Sequence, residues 1–258
     1  MSPRERISAA LRAAAARGTP ALVAYLTAGF PQRAHFRAQL RALARSADVI
    51  EVGVPFTDPM ADGVTIQRAS LAALAQGTSL GWILAELEAL GELDTPLLLM
   101  SYLNPLLAFG LERLAASAAR AHVAGFIVPD LPLDESGALQ AALGEHELAL
   151  VQMVTPVTAP DRLTRLATAS GGFLYAVTMT GTTGGQVAVP DEVLDYLDRV
   201  RASSPVPVCA GFGIRSREQV ERLRGHVDGV VIGSALVERL ERGEDVAAWL
   251  QTLRGDQT

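Results

Sequence analysis

The chain contains no lysine; all 22 of its basic residues are arginine. Without a lysine amine, this chain can run no Schiff-base catalysis and hold no covalent pyridoxal phosphate. A Walker-type phosphate loop is excluded for the same reason. Cysteine is nearly as scarce. Cys209 stands alone among 258 residues, so no internal disulfide can form, which fits a reducing compartment. Long apolar runs are also missing. Segments such as 96–100 and 227–232 fall far short of the roughly 20 residues a spanning helix needs. Residues 1–17 are rich in Arg and Ala but lack an uninterrupted apolar core, so they predict a helix and not a signal peptide. A basic surface is lacking too: net charge is −6 and the pI about 5.3. Neither nucleic acid nor an anionic membrane is an expected partner. The expectation is a soluble, cytoplasmic protein.

What is present is apolar and evenly spread. Hydrophobic residues make up 49% and charged residues 19%, enough for a large core and too apolar for disorder. Short runs rich in Val, Ile and Leu fall at 21–27, 49–53, 97–101, 125–128, 148–154, 173–178, 206–210 and 229–232. They alternate little between apolar and polar, as parallel strands buried on both faces do. Helical patterns separate or follow them at 34–45, 80–90, 111–120, 135–143, 160–169, 191–202, 217–224 and 246–253. Asp161 behind Pro160, Ser79 before Leu80 and Ser216 before Arg217 supply helix-start chemistry. Eight β–α pairs in strict alternation predict an α/β fold, a (β/α)₈ TIM barrel with an extra N-terminal helix. Periodicity alone leaves an open doubly wound sheet as the alternative. No linker or tandem repeat is visible, so residues 1–258 are expected to form one domain. The longest βα connections, 53–79 and 179–190, mark where function should be sought.

Chemistry concentrates after the second strand run. Glu51 lies between Ile50 and Val52, whose side chains should face the helices, so Glu51 should point into the barrel near its upper rim. A carboxyl buried there is raised in pKa and suited to giving and taking a proton. It can equally be a structural group held by hydrogen bonds. Asp58 and Asp62 follow among Pro55, Pro59 and Gly63. Turn chemistry accounts for Asp58, and for Asp62 both a cap and a functional role stay open. Two clusters of small residues, from Ala210 to Ile214 and from Ile232 to Ala235, follow late strand runs. In such barrels the loops after strands seven and eight often hold phosphate on backbone N–H groups. A third glycine-rich stretch, from Thr180 to Gly185, reads as a mobile lid. His35, His122, His146 and His226 fall on helices or turns away from the strand ends where a zinc aldolase would gather them, so no metal site is expected. Cys209 reads as core.

The segment 50–67, the Gly211-Phe212-Gly213-Ile214 cluster and the Gly233-Ser234 cluster together resemble the tryptophan synthase α subunit family. The motif order agrees along nearly the whole chain. The resemblance implies a lyase of tryptophan biosynthesis that cleaves indole-3-glycerol phosphate to indole and glyceraldehyde 3-phosphate. It implies Glu51 and Asp62 as the catalytic pair. It implies Tyr25, Leu99, Tyr102, Ile127, Tyr175 and Phe212 around the substrate, and Thr183 as a lid residue closing toward Asp62. Gly184, Gly213, Gly233 and Ser234 would hold phosphate. No cofactor is implied in this chain; pyridoxal phosphate belongs to a β subunit, the partner in an α2β2 heterotetramer. Two positions depart from the family pattern. Tyr25 stands where many relatives have phenylalanine, and 178–184 reads Thr-Met-Thr-Gly-Thr-Thr-Gly where the family's lid reads Ser-Arg-x-Gly-Val-Thr-Gly. The lid departure leaves open a stand-alone lyase; a weakly active barrel that mainly regulates its partner is a further alternative, against which the presence of both carboxylates argues. A sugar-phosphate isomerase would share the glycine clusters but need not carry Glu51 and Asp62 at this spacing.

Overall fold

A computed structural model of the chain describes residues 1–178, 189–211 and 213–254. Eight parallel strands pair in sequence order and close into a barrel: β1 (Ala21–Thr27), β2 (Val49–Gly53), β3 (Leu97–Met100), β4 (Val123–Ile127), β5 (Ala149–Val154), β6 (Leu174–Val177), β7 (Val208–Gly211) and β8 (Gly229–Ile232). The β1–β8 pairing completes the circle and rules out an open sheet. Three of the expected strands, those at 21–27, 49–53 and 229–232, have the expected bounds; the others shift by one to two residues at an end. The helices are α1 (Pro3–Ala16), α2 (Phe36–Ala44), α3 (Val64–Ala75), α4 (Leu80–Leu90), α5 (Leu103–Phe109), α6 (Leu111–Arg120), α7 (Gly137–Gly144), α8 (Pro160–Ala169), α9 (Asp191–Ser203), α10 (Arg217–Arg222), α11 (Ser234–Glu241) and α12 (Val246–Arg254).

Strand side chains alternate between two cores. Ile50 and Val52 of β2 point outward and join Phe36, Leu40 and Leu43 of α2 and Ile83 and Leu87 of α4. Their neighbour Val49 points inward with Val23, Leu98, Ile127, Val151 and Cys209. The period of two in a pleated strand is the cause, and it places Glu51 inside. Each helix turns an apolar stripe to the sheet: α6 buries Leu114, Ala115 and Ala118, while Glu112 and Arg113 stay exposed.

Helix starts follow local chemistry, with one correction. Ser79 Oγ accepts the Trp82 N–H at 3.3 Å, and Ser216 forms a capping box with Gln219. Asp161 is no cap. Pro160 takes the first helical position behind Ala159, so Asp161 falls in the first turn, where its charge faces the helix dipole. The connection 53–79 is also not one long loop; it contains the 12-residue α3.

The extra N-terminal helix seals the barrel floor. Ile7, Leu11 and Ala14 are fully buried and pack with Ala21, Phe173 and Cys209. Glycines make the fit: a Cβ on Gly172 would come within 3.0 Å of Ile7 Cδ1, and one on Gly229 within 3.3 Å of Leu11 Cδ2. Burying Ile7 and Leu11 contributes roughly 1.5–3 kcal/mol each. Nearby, Asp48 accepts the Leu22 N–H at 2.8 Å and meets Arg17 at 2.9 Å and Arg254 at 2.7 Å, so both ends of the described chain are tied to the start of β2. The floor is closed by this helix; the opposite end of the barrel holds a cavity.

Candidate active site

A cavity of about 440 Å³ opens at the carboxyl ends of the strands. Glu51, Asp62, Tyr25, Tyr175, Gly213, Gly233 and Ser234 all line it. Tyr25, Glu51 and Tyr175 reach it by strand alternation: Tyr25 is the register partner of Glu51 across β1 and β2, and Tyr175 pairs with Met153 across β5 and β6.

Glu51 is 1% exposed, and its Oε2 has no hydrogen-bond partner among the described residues. A carboxylate kept for structure would be held by donors on both oxygens. Burial, helped by the charge of Asp62, pushes the Glu51 carboxyl up to about 8. Asp62 is half-buried, and burial pushes it up to about 6 against a hydrogen bond from the Tyr102 hydroxyl, which lowers it. The cap of α3 is Gly63, with no side-chain cap hydrogen bond, so the Asp62 carboxylate is free to line the cavity. Asp58 behaves as a turn residue: it accepts the Thr57 hydroxyl at 2.5 Å, and its carbonyl accepts the Met60 N–H at 3.0 Å.

Tyr102 does not line the cavity. Its hydroxyl accepts the Ala61 N–H at 2.8 Å and bonds Asp62, and its ring stacks on Phe56 at 5.3 Å. It fixes the loop that carries the carboxylate. Gln67 does the same from α3, donating to the Asp62 carbonyl at 2.8 Å and the Pro59 carbonyl at 3.4 Å. Its place at the end of the 50–67 segment was the only sequence signal for that role.

With Tyr102 set behind the loop, two further expectations on the substrate wall are corrected. Leu99 points outward into the core beneath the helices; Met100, one residue on, takes the place at the cavity. Ile127 does point inward, but it is buried in the layer below, and Pro129 forms the wall there. Met153, Val177, Val231 and Ile66 complete the apolar lining and were not anticipated. Thr183, Gly184 and Phe212 lie outside the described residues, as do residues 179–188 of the expected lid.

At the far side of the cavity, Gly213 has φ +67°, and a Cβ there would meet nothing within 4 Å. Gly233 caps α11, whose first residue is Ser234. The Leu236 N–H of its first turn already donates to the Gly233 carbonyl at 2.9 Å, which leaves the N–H groups of Ser234 and Ala235 at the positive end of the helix dipole. Gly233 and Ser234, at that helix start, line the cavity, a setting suited to an anion. The histidines stand elsewhere, on a 3₁₀ turn (His35) and in αβ connections (His122, His146 and His226); His226 pairs with Asp198 at 2.8 Å. Cys209 is buried in β7.

Known proteins share this sequence and shape. The profile of the family described as Tryptophan synthase alpha chain matches residues 11–254. The Tryptophan synthase alpha chain of Solidesulfovibrio magneticus is 46% identical over 244 residues, which cover 94% of this chain and 95% of that one. That of Nitratidesulfovibrio vulgaris is 45% identical over 248 residues, 95% and 96% of the two chains. Among solved structures, tryptophan synthase from Mycobacterium tuberculosis superposes with a TM-score of 0.88 at 37% identity, covering 96% of each chain. Tryptophan synthase subunit alpha of Legionella pneumophila gives 0.86 at 31% identity, covering 96% of this chain and 97% of the other. Agreement this long, in sequence and in barrel alike, means that the chain belongs to the tryptophan synthase alpha chain family.

Proposed function

We propose that Glu51 and Asp62 cleave indole-3-glycerol phosphate to indole and glyceraldehyde 3-phosphate in the 440 Å³ cavity. One observation carries the assignment: two carboxyl groups line the same cavity, Glu51 fully buried with an unpartnered Oε2 and Asp62 half-buried, and burial pushes them up to about 8 and about 6. At neutral pH the first keeps its proton while the second is largely ionised, the division of labour an acid–base step needs.

The reaction is a retro-aldol cleavage and needs an electron sink. With no lysine for an iminium, the sink is the substrate's own ring. Glu51 gives a proton to indole C3, forming an indolenine whose C=N⁺ bond accepts electrons. Asp62 stabilises that cation through the ring N–H. The glycerol hydroxyl next to the ring then loses its proton to the Glu51 carboxylate. The C–C bond breaks, a carbonyl forms, and the electron pair returns to the ring to give indole. Glu51 ends protonated, as it began. Each acid–base role is typically worth about 10²–10⁴-fold. Gly213, Gly233 and Ser234 bind the phosphate and hold C3 at the acid. Tyr25, Tyr175 and Met100 shape the apolar side.

The chain needs no cofactor of its own in this scheme. A β subunit, the component that carries pyridoxal phosphate, is the expected partner in an α2β2 assembly in the cytoplasm. Support for a docking face comes from exposed apolar residues on segments that follow strand ends: Met60 at 87%, Val64 at 76%, Leu107 at 52% and Val157 at 87%. We take the chain, residues 1–258, as one domain. Incubating the purified chain with indole-3-glycerol phosphate, with and without a matched β subunit, and measuring indole tests the proposal. Indole without β would favour a stand-alone lyase; no indole in either case would refute the assignment.

A further inference from the structure

Three segments meet beside the proposed phosphate position, and one side chain bonds to two of them from the third. Glu238 lies one turn into α11, four residues after Ser234. Its carboxylate accepts both arms of the Arg215 guanidinium, Nη1 on Oε2 and Nη2 on Oε1, each at 2.8 Å. Oε1 also accepts the Thr65 hydroxyl at 3.3 Å. Arg215 stands two residues after Gly213, and Thr65 three residues after Asp62. The Arg215 fork, more than any other group, holds the Glu238 carboxyl below its usual range, so it is ionised at neutral pH.

Other contacts tie the same segments. Further along both helices, Arg68 of α3 gives both arms to Glu241 of α11, at 2.8 and 2.7 Å. Val237 of α11 is fully buried in one cluster with Ala69 and Ala73 of α3. Ile66 reaches the glycine turn itself, since a Cβ on Gly233 would lie 3.7 Å from its Cδ1. Arg215 is held through its backbone as well, its N–H donating to Gln219 at 2.7 Å. The two helices are thus set against each other, and the loop after β7 is pinned to both through Glu238.

Ion pairs this close to the surface add little to stability. Their geometry has more to offer here. A substrate anchored by its phosphate and reacting at its ring needs a fixed distance between the two ends, and a displacement of about 1 Å can cost about a hundredfold. Asp62 precedes α3, while Gly213, Gly233 and Ser234 belong to the other two segments. Neither Glu238 nor Arg215 is among the residues lining the cavity, so both act at one remove. We propose that Glu238 is a positioning residue: through Arg215 and Thr65 it holds the phosphate-binding turns at a fixed distance from Asp62. The proposal rests on the phosphate placement given under the proposed function.

Calorimetry on the full chain separates the two ends of the substrate. Glycerol 3-phosphate is the phosphate arm without the ring, and indole is the ring without the arm. Glu238→Gln and Arg215→Gln should each weaken glycerol 3-phosphate by about fivefold or more and leave indole within about twofold. A shared direction is the telling result. A bare field effect on the phosphate dianion would make the arginine variant bind less tightly and the glutamate variant more tightly. The double variant should lose no more than either single one, because the pair acts as a unit. Thermal melts should move little and confirm that each variant is folded. Parental affinity for glycerol 3-phosphate in either variant, opposite shifts in the two, additive losses in the double variant, or an equal loss for indole would each overturn the proposal. Ser234→Asp tests the phosphate placement by itself. If it leaves glycerol 3-phosphate binding intact, that placement fails and this proposal with it. If it abolishes binding while Glu238→Gln binds like the parent, the placement stands and only this proposal falls.

Discussion

The Tyr25 hydroxyl rests on Gly53: a Cβ added to that glycine would fall 2.1 Å from the phenolic oxygen. Tyr175 and Gly211 repeat the arrangement across the barrel, with the corresponding distance at 2.5 Å. In each case a tyrosine of one strand lies over a glycine of the next, β1 over β2 and β6 over β7. The glycines therefore decide where the two rings stand at the cavity, which Tyr25, Tyr175 and Gly211 line. Tyr25 further shares a hydrogen bond of 3.3 Å with Thr27, which accommodates the hydroxyl that phenylalanine would lack.

Gly53→Ala should accordingly displace Tyr25. Overpacking of this kind costs about 1–3 kcal/mol, and KM for indole-3-glycerol phosphate should rise with it. In a Tyr25→Phe background the same alanine should cost less, though not nothing, because the ring carbons also crowd the site at 2.6 and 2.7 Å. A double-mutant cycle on unfolding free energies checks this; equal costs in both backgrounds would contradict the steric account.

Glu51→Gln should lower indole formation by at least about a hundredfold in a folded protein. It should also change how stability depends on pH. The buried carboxyl is raised from 4.5 to about 8, so the folded state holds its proton longer than the unfolded chain does. Stability contributed by the neutral group is complete below about 4.5 and is lost as pH climbs toward 8. The glutamine variant has no such loss. Its stability relative to the parent should grow across that interval, by on the order of a few kcal/mol. Denaturant titrations at either end of the interval give the answer; a constant difference would place Glu51 in water.

The pH profile of kcat/KM should be a bell. Activity needs Asp62 ionised and Glu51 protonated, so the limbs should fall near pH 6 and pH 8. The two values belong to an interacting pair. Asp62→Asn should reduce the rate and remove the acidic limb while the basic limb persists. Tyr102→Phe should shift the acidic limb upward, because the hydrogen bond it removes is the one that lowers the Asp62 carboxyl.

Gly213→Asp and Ser234→Asp both bring negative charge to the proposed phosphate position. Asp tolerates a positive φ better than most residues, and Gly213 has open space around its missing Cβ. The fold should survive with little loss, and affinity for a phosphate-bearing substrate analogue should drop strongly. Calorimetric affinity equal to that of the parent would move the phosphate elsewhere.

The strand order was legible because each run is short, apolar and separated from the next by an amphipathic stretch. Parity within a strand was legible only where a polar residue marks it. Glu51 between Ile50 and Val52 sets the inward face of β2. Leu97-Leu98-Leu99-Met100 carries no such mark, so nothing in the run itself shows that Leu99, which the resemblance implies for the wall, lies on the outward face. Leu99→Ala should therefore cost about 2–5 kcal/mol of stability with KM nearly unchanged, whereas Met100→Ala should change KM and cost less stability. Steady-state kinetics alongside unfolding curves separate the two. The role of Tyr102 was hidden for another reason: its place near the site was readable, but its partners come from a loop some forty residues earlier in the chain.

The floor of the barrel has a temporal side. Residues Ile7 and Leu11 share their seat with Phe173, Cys209 and Gly229, all more than 160 residues further along the chain. The helix also packs on β1, β2 and β4, so its seat draws on strands from both halves of the barrel. Its docking is a contact of long sequence separation, the kind that closes late because the intervening loop must first be ordered. Helix α1 is thus fully seated only when the circle of strands is closed, and a chain stopped before β8 would leave its seat beside Gly229 unfinished.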